Sequence, residues 1–81
     1  MYYVYVLKSL KDGKRYIGSS SNVEQRLIFH NEGRNISTRN RVPFELIYKK
    51  KFDSKSEAIR FEILLKKQKG GKGFDKLIML E

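Results

Sequence analysis

The sequence predicts an α/β domain of the α+β kind: a small three-stranded, mainly antiparallel sheet flanked by helices, in the order β-β-α-β-α plus a short C-terminal element. Three observations carry this reading. Tyr2 to Lys8, dense in Tyr and Val, and Arg15 to Gly18 flank Asp12-Gly13, a dipeptide suited to tight turns. Two Ser-x-x-Glu tetrapeptides, Ser21 to Glu24 and Ser54 to Glu57, each open a segment whose apolar residues recur at helical spacing. A length of 81 residues allows one domain, residues 1–81, and no second one.

Tyr2 to Lys8 and Arg15 to Gly18 form the hairpin. Side chains alternate with period two, so any even-numbered connecting loop places Tyr5 and Tyr16 on the same face. A strict two-residue turn would leave them roughly 13 Å apart along the strand, whereas a loop of about six residues would bring them close. The first helix covers about residues 22 to 32, with Val23 and Leu27 one turn apart and Gly33 available to end it. Arg34 to Val42 is polar and Pro43 bars a continuing helix, which gives a basic loop feeding a strand at Phe44 to Phe52. There Phe44, Leu46 and Tyr48 alternate as a half-buried strand requires. The second helix runs from Ser54 to about Lys69, where Gly70, Gly71 and Gly73 break it. Leu77, Ile78 and Leu80 then supply a short closing element.

Eighteen Lys and Arg against nine Asp and Glu leave a formal charge of +9. Residues 34 to 51 hold Arg34, Arg39, Arg41, Lys49, Lys50 and Lys51 against Glu45 alone. Residues 66 to 76 hold Lys66, Lys67, Lys69, Lys72 and Lys76 against Asp75. Charge this concentrated attracts polyanions, because neutralising phosphates releases condensed counterions, so nucleic acid leads the list of partners. A solvated Lys-rich face is the plainer alternative. With no Cys there is no disulfide framework, zinc finger or thiol nucleophile. The longest apolar run, Met1 to Leu7, is too short to span a bilayer and lacks the basic flank of a secretory signal, so a cytoplasmic, non-membrane protein is expected.

Three groups of residues could carry chemistry. On the second helix Ala58, Phe61, Glu62 and Leu65 stand at i, i+3, i+4 and i+7, a core-facing stripe that includes one carboxylate. Glu62 needs a cationic partner, either a bound metal ion or Lys66 at i+4, and helix geometry alone favours the salt bridge. On the first helix Arg26 and His30 share a face. An Arg fork suits a phosphate and a neutral imidazole accepts a proton, yet an exposed Arg and a His⁺ at the helix C-terminus explain the pair equally well. The third group is Tyr5 with Tyr16, for which shared burial in the core is the ordinary explanation.

Taken in order, Tyr3-Val4-Tyr5, Tyr16-Ile17-Gly18, Ser21 to Leu27 with His30, then Thr38, Pro43 and Phe61-Glu62 resemble the GIY-YIG nuclease superfamily, especially its small stand-alone bacterial members related to structure-specific endonuclease catalytic domains. The resemblance covers nearly the whole chain and departs from the name-giving pattern at Tyr3, where that pattern has Gly. It implies a DNA endonuclease dependent on Mg²⁺ or Mn²⁺ that leaves a 5′-phosphate and a 3′-hydroxyl, structure-specific and acting in DNA repair or recombination. It further implies that Tyr5 and Tyr16 are the motif tyrosines, Arg26 the catalytic arginine, His30 an active-site histidine and Glu62 the metal-binding carboxylate. By their charge, Arg34, Arg39, Arg41 and Lys49 to Lys51 are the expected DNA-binding set, and the expected substrate is branched or otherwise structured DNA. A catalytically weak nucleic-acid-binding module, or a nuclease subunit that draws its specificity from a protein partner, is the alternative. Which of Tyr5, Tyr16 and His30 is the general base stays open. The expected geometry has both tyrosines on one sheet face, with Arg26 and Glu62 directed toward it from two helices.

Overall fold

A computed structural model describes residues 1–68. In chain order these form β1 (Tyr2–Ser9), β2 (Arg15–Ser20), α1 (Val23–Asn31), β3 (Phe44–Phe52) and α2 (Lys55–Gln68), with a 3₁₀ turn at Arg39–Arg41. The β-β-α-β-α order is as the sequence predicts. The glycine break at Gly70 to Gly73, the closing element at Leu77 to Leu80, and Lys69, Lys72 and Lys76 lie outside the described residues. Among the described residues no helix is long and apolar enough to cross a membrane.

The sheet order is β2-β1-β3, and β1 pairs antiparallel with both neighbours. A central strand covered on both faces needs apolar side chains on both, which is why Val4 to Leu7 is an unbroken apolar run. Val4 and Val6 pack with Ile17 against Ala58 and Leu65 of α2. Tyr5 and Leu7 pack on the other face with Val23 of α1 and Phe44. The two helices therefore lie on opposite faces.

The turn resolves the register question. Lys8 pairs with Arg15, leaving the six residues from Ser9 to Lys14 to reverse the chain. The buried Ser9 hydroxyl organises them, accepting from Lys11 N at 3.1 Å and Asp12 N at 3.2 Å and donating to the Arg41 carbonyl at 2.5 Å. Gly13 takes the left-handed conformation this path requires (φ 73°).

Two local expectations need correction. The α1 cap is Asn22, not Ser21: Asn22 Oδ1 accepts from Gln25 N at 3.1 Å. In β3, Phe44, Leu46 and Tyr48 do not share a face. The register shifts by one residue, with Leu7 opposite Leu46 but Val6 opposite Tyr48, so Tyr48 joins Ile47 and Phe52 on the α2 side. The cap at α2 is as expected, Ser54 Oγ accepting from Glu57 N at 3.3 Å. Asn31 ties α1 to β3, its side-chain amide accepting from Phe44 N at 2.7 Å and donating to Phe44 O at 3.1 Å.

Candidate active site

The long turn places Tyr16 opposite Leu7 and Gly18 opposite Tyr5, so Tyr5 and Tyr16 occupy one face with ring centroids 6.5 Å apart. Gly18 is what allows Tyr5 its position. A Cβ on residue 18 would lie 2.5 Å from the Tyr5 phenolic oxygen and 2.7 Å from its Cζ, so the phenol fills the space of the missing side chain and lies over the edge strand β2. Burial pushes the Tyr5 phenol above its ordinary pKa; Arg26 opposes this, while Tyr16 and Glu62 add to it. At neutral pH Tyr5 is a neutral hydrogen-bond donor.

Arg26 rises from α1 on the same face, half-buried, with its guanidinium 4.5 Å from the centroid of the Phe29 ring. His30, one turn on, is fully buried between Tyr16, Phe29 and Phe44, with the Tyr16 ring centroid at 4.7 Å. Its Nδ1 lies 3.0 Å from the Thr38 hydroxyl, and its Nε2 is enclosed without a hydrogen-bond partner among the described residues. Of the two sequence expectations for His30, the His⁺ at a helix end does not fit; the imidazole is neutral and shielded from water. Burial first, and then the Arg26 charge, push its pKa down, so it is neither a His⁺ at a helix end nor a base in contact with water. A group that stays neutral when folded but takes a proton when unfolded costs stability as pH falls. Stability should be flat above about pH 6.5 and decline below it by at most ~1.4 kcal/mol per pH unit. Denaturation midpoints between pH 7.5 and 5 check this, and His30→Gln should flatten the decline; an equal decline in that variant would assign it to other groups.

Glu62 approaches from α2, hence from the opposite face, and this corrects the expectation that both helices aim at the tyrosine face. It meets the site at the β2 edge. Glu62 Oε1 accepts from the Ser19 hydroxyl at 2.7 Å, and Oε2 pairs with Lys66 Nζ at 2.8 Å. Ser19 follows Gly18, and alternation turns its side chain to the α2 face while Tyr5 covers the other. Sequence reasoning missed Ser19; its signal was its place directly after Tyr16-Ile17-Gly18. The salt bridge with Lys66 is formed, and the same carboxylate acts on the Tyr5 phenol.

Among the described residues no cluster of three or more His, Cys, Asp or Glu could cage a metal ion. A lone carboxylate oriented by a hydroxyl fits a hard cation that draws most ligands from water and phosphate oxygens, as Mg²⁺ does, and Mn²⁺ shares this preference for oxygen. It does not fit a thiolate- or imidazole-bound ion.

The six basic residues are not one patch. β3 is the edge strand away from Gly18, and alternation puts Lys49 and Lys51 on the tyrosine face but Lys50 on the α2 face, over Phe52 and Phe61. Lys49 pairs with Glu24 at 3.1 Å and Arg34 with Glu32 at 3.4 Å, both at the surface. Arg39 is exposed. Arg41 is half-buried, holding Asp12 at 3.2 Å across the hairpin turn, which is a structural task. A groove along the outer side of α1 is lined by Gln25, Arg26, Phe29, Glu32 and Arg34.

Comparison with known proteins extends this geometry. The chain is 46% identical over 68 residues to a UPF0213 protein of Streptococcus pneumoniae, an overlap covering 83% of this chain and 68% of that one. It is 41% identical over 81 residues to a UPF0213 protein of Oceanobacillus iheyensis, covering 99% and 90%. The solution NMR structure of a UPF0213 protein from Bacillus halodurans, 36% identical, superposes with a TM-score of 0.62 over 100% of this chain and 86% of that chain. The family model described as the GIY-YIG catalytic domain matches residues 1–75. A domain in which Tyr5 and Tyr16 share one sheet face, and whose residues 1–75 match that model, belongs to the GIY-YIG catalytic domain family.

Proposed function

We propose that this domain is a cytoplasmic, Mg²⁺- or Mn²⁺-dependent endonuclease that hydrolyses phosphodiesters of branched DNA, in repair or recombination. The observation that supports the reading is the convergence on one buried phenol. Tyr5 fills the space of the missing Gly18 side chain with the Tyr16 ring 6.5 Å away on the same face, Arg26 rises on that face from α1, and Ser19, the residue after Gly18, holds Glu62 at the same strand edge. Packing alone does not require that set.

Arg26 offsets the charge that develops on the phosphate during attack. Tyr5, held neutral by burial, donates a hydrogen bond. Tyr16 is the half-exposed phenol that water can reach; its oxygen takes the proton of the attacking water as the phenol passes its own proton to bulk water. His30, enclosed against Tyr16, holds that ring in place rather than taking the proton itself. Ser19 orients Glu62, the residue that would hold the metal. When bound, a divalent cation supplies Lewis-acid polarisation of the phosphate and stabilises the leaving oxygen.

Incubation with branched, nicked, single-stranded and duplex DNA, each with Mg²⁺, Mn²⁺ or chelator, tests the reading. Chelator-sensitive cleavage of branched DNA, leaving a 5′-phosphate, is expected. Binding without turnover would leave a nucleic-acid-binding module, and turnover only with an added protein would leave a partner-dependent subunit. The logarithm of the affinity should fall linearly with the logarithm of salt. Neutralising exposed Arg39 and Lys51 should weaken binding across sequences, lowering the slope by about one for each phosphate that no longer meets a cation. Salt-independent binding would overturn a phosphate-based interface.

A further inference from the structure

We infer that Lys66 is a built-in competitor of the metal: its ammonium occupies the Glu62 oxygen that a cation can reach, and it must leave before a divalent ion binds there. The inference rests on the reading of Glu62 as the metal carboxylate. Both oxygens of that carboxylate are engaged, but unequally. Oε1 takes a hydrogen bond at 2.7 Å from Ser19, a residue fixed in strand β2. Oε2 is held at 2.8 Å by Lys66, one helical turn further along α2.

The two partners differ in how easily they leave. Ser19 is tied to the sheet. Lys66 is 54% exposed on a four-carbon stem, while Glu62 is only 16% exposed, so the lysine swings into water far more readily than the carboxylate moves. An exposed i,i+4 pair is weak, so displacement is readily offset once the ammonium finds another anion. The ammonium and a divalent ion on one carboxylate oxygen would stand only a few ångströms apart and repel each other, so the oxygen holds one cation at a time. Metal entry and lysine departure are one exchange.

DNA supplies the other anion. A phosphate at the site gives the released ammonium a new partner, so DNA and metal each favour the other's binding, and the coupling is reciprocal. Without DNA, the negative charge of Glu62 is neutralised internally and metal affinity is low.

The test is calorimetric titration of the full chain with Mn²⁺ in the absence of DNA, which reads binding and not turnover. Lys66→Gln, which removes the charge, should bind Mn²⁺ about three- to fivefold more tightly than the unaltered protein. Lys66→Arg, which keeps a cation, should bind within about twofold of it, and Glu62→Gln should lose the binding. Adding a branched DNA should tighten Mn²⁺ binding more in the unaltered protein than in Lys66→Gln. Unchanged or weaker binding in Lys66→Gln, with binding still abolished in Glu62→Gln, would overturn the competitor role and leave the metal reading intact. Binding that persists in Glu62→Gln would overturn both.

Discussion

Glu62→Gln abolishes cleavage while the protein stays folded: this is the expected result with the largest effect. The amide keeps the side-chain size and an oxygen to accept from Ser19, so the contact at 2.7 Å survives. It loses the pairing with Lys66. Because that lysine is 54% exposed, the loss costs at most about 1 kcal/mol after solvent screening. What disappears is the formal charge a divalent cation requires, and with it the polarisation of the phosphate. Arg26→Ala should separate activity from folding in the same way, with a loss of roughly 10²-fold or more in rate, since a donor to developing phosphate charge is removed. Its stability cost is larger than that of Glu62→Gln, because the guanidinium also covers the Phe29 ring at 4.5 Å. Glu57→Gln, an exposed change in the first turn of the same helix, is the control and should leave the rate unaltered. The measurement is the cleavage rate of one branched DNA by the three variants at matched folded fraction. Full activity in Glu62→Gln would remove the metal assignment.

The fold was legible where local signals and burial agree. β3 spans Phe44–Phe52 as its apolar pattern suggests, and α2 begins at the Ser54 cap. It was illegible where a distant partner decides. Asp12-Gly13 suggests a tight turn, yet the turn runs from Ser9 to Lys14 because the Ser9 hydroxyl reaches the Arg41 carbonyl, a contact spanning 32 positions. The alternation of Phe44, Leu46 and Tyr48 failed for a related reason. Both faces of the sheet are covered, so an extra residue at Ile47 lets each face receive apolar side chains, and period two no longer separates inside from outside.

The site was legible as a set of residues but not as a geometry. His30 illustrates the difference. Val23, Leu27 and His30 stand at i, i+4 and i+7, the core stripe of α1, and that spacing was the available sign that the imidazole is buried with the apolar residues. The i−4 relation to Arg26 suggested an exposed face instead. For Glu62 the salt bridge that helix geometry favours is formed on Oε2, while helix spacing carried no sign of the Ser19 hydroxyl that Oε1 accepts from. Helix periodicity reports the stripe a residue belongs to. It does not report that the stripe ends at a sheet edge, where Glu62 meets Ser19, the residue after Gly18.

That edge makes Gly18→Ala the second large effect. The substitution adds one methyl group, and Gly18 has no left-handed backbone conformation that would exclude alanine. The obstacle is the Tyr5 ring, whose phenolic oxygen would lie 2.5 Å and Cζ 2.7 Å from the new Cβ. A surface side chain would swing aside, but this ring is 1% exposed and packed with Leu7, Val23 and Phe44. It must shift as a rigid plate. Overpacking of this kind costs about 1–3 kcal/mol, a moderate loss for a small domain. Activity should suffer more, by roughly 10²-fold at matched folded fraction, because a displacement of about 1 Å at the reacting centre has that effect. Gly13→Ala is the comparison. Gly13 has no described atom within 4 Å of an added Cβ but sits at φ 73°, so its cost of about 1 kcal/mol comes from backbone strain alone and cleavage should persist. If Gly18→Ala cleaves at the unaltered rate, with the Tyr5 ring unmoved by NMR, the seating of Tyr5 over Gly18 has no part in catalysis and the convergence on that phenol is packing only.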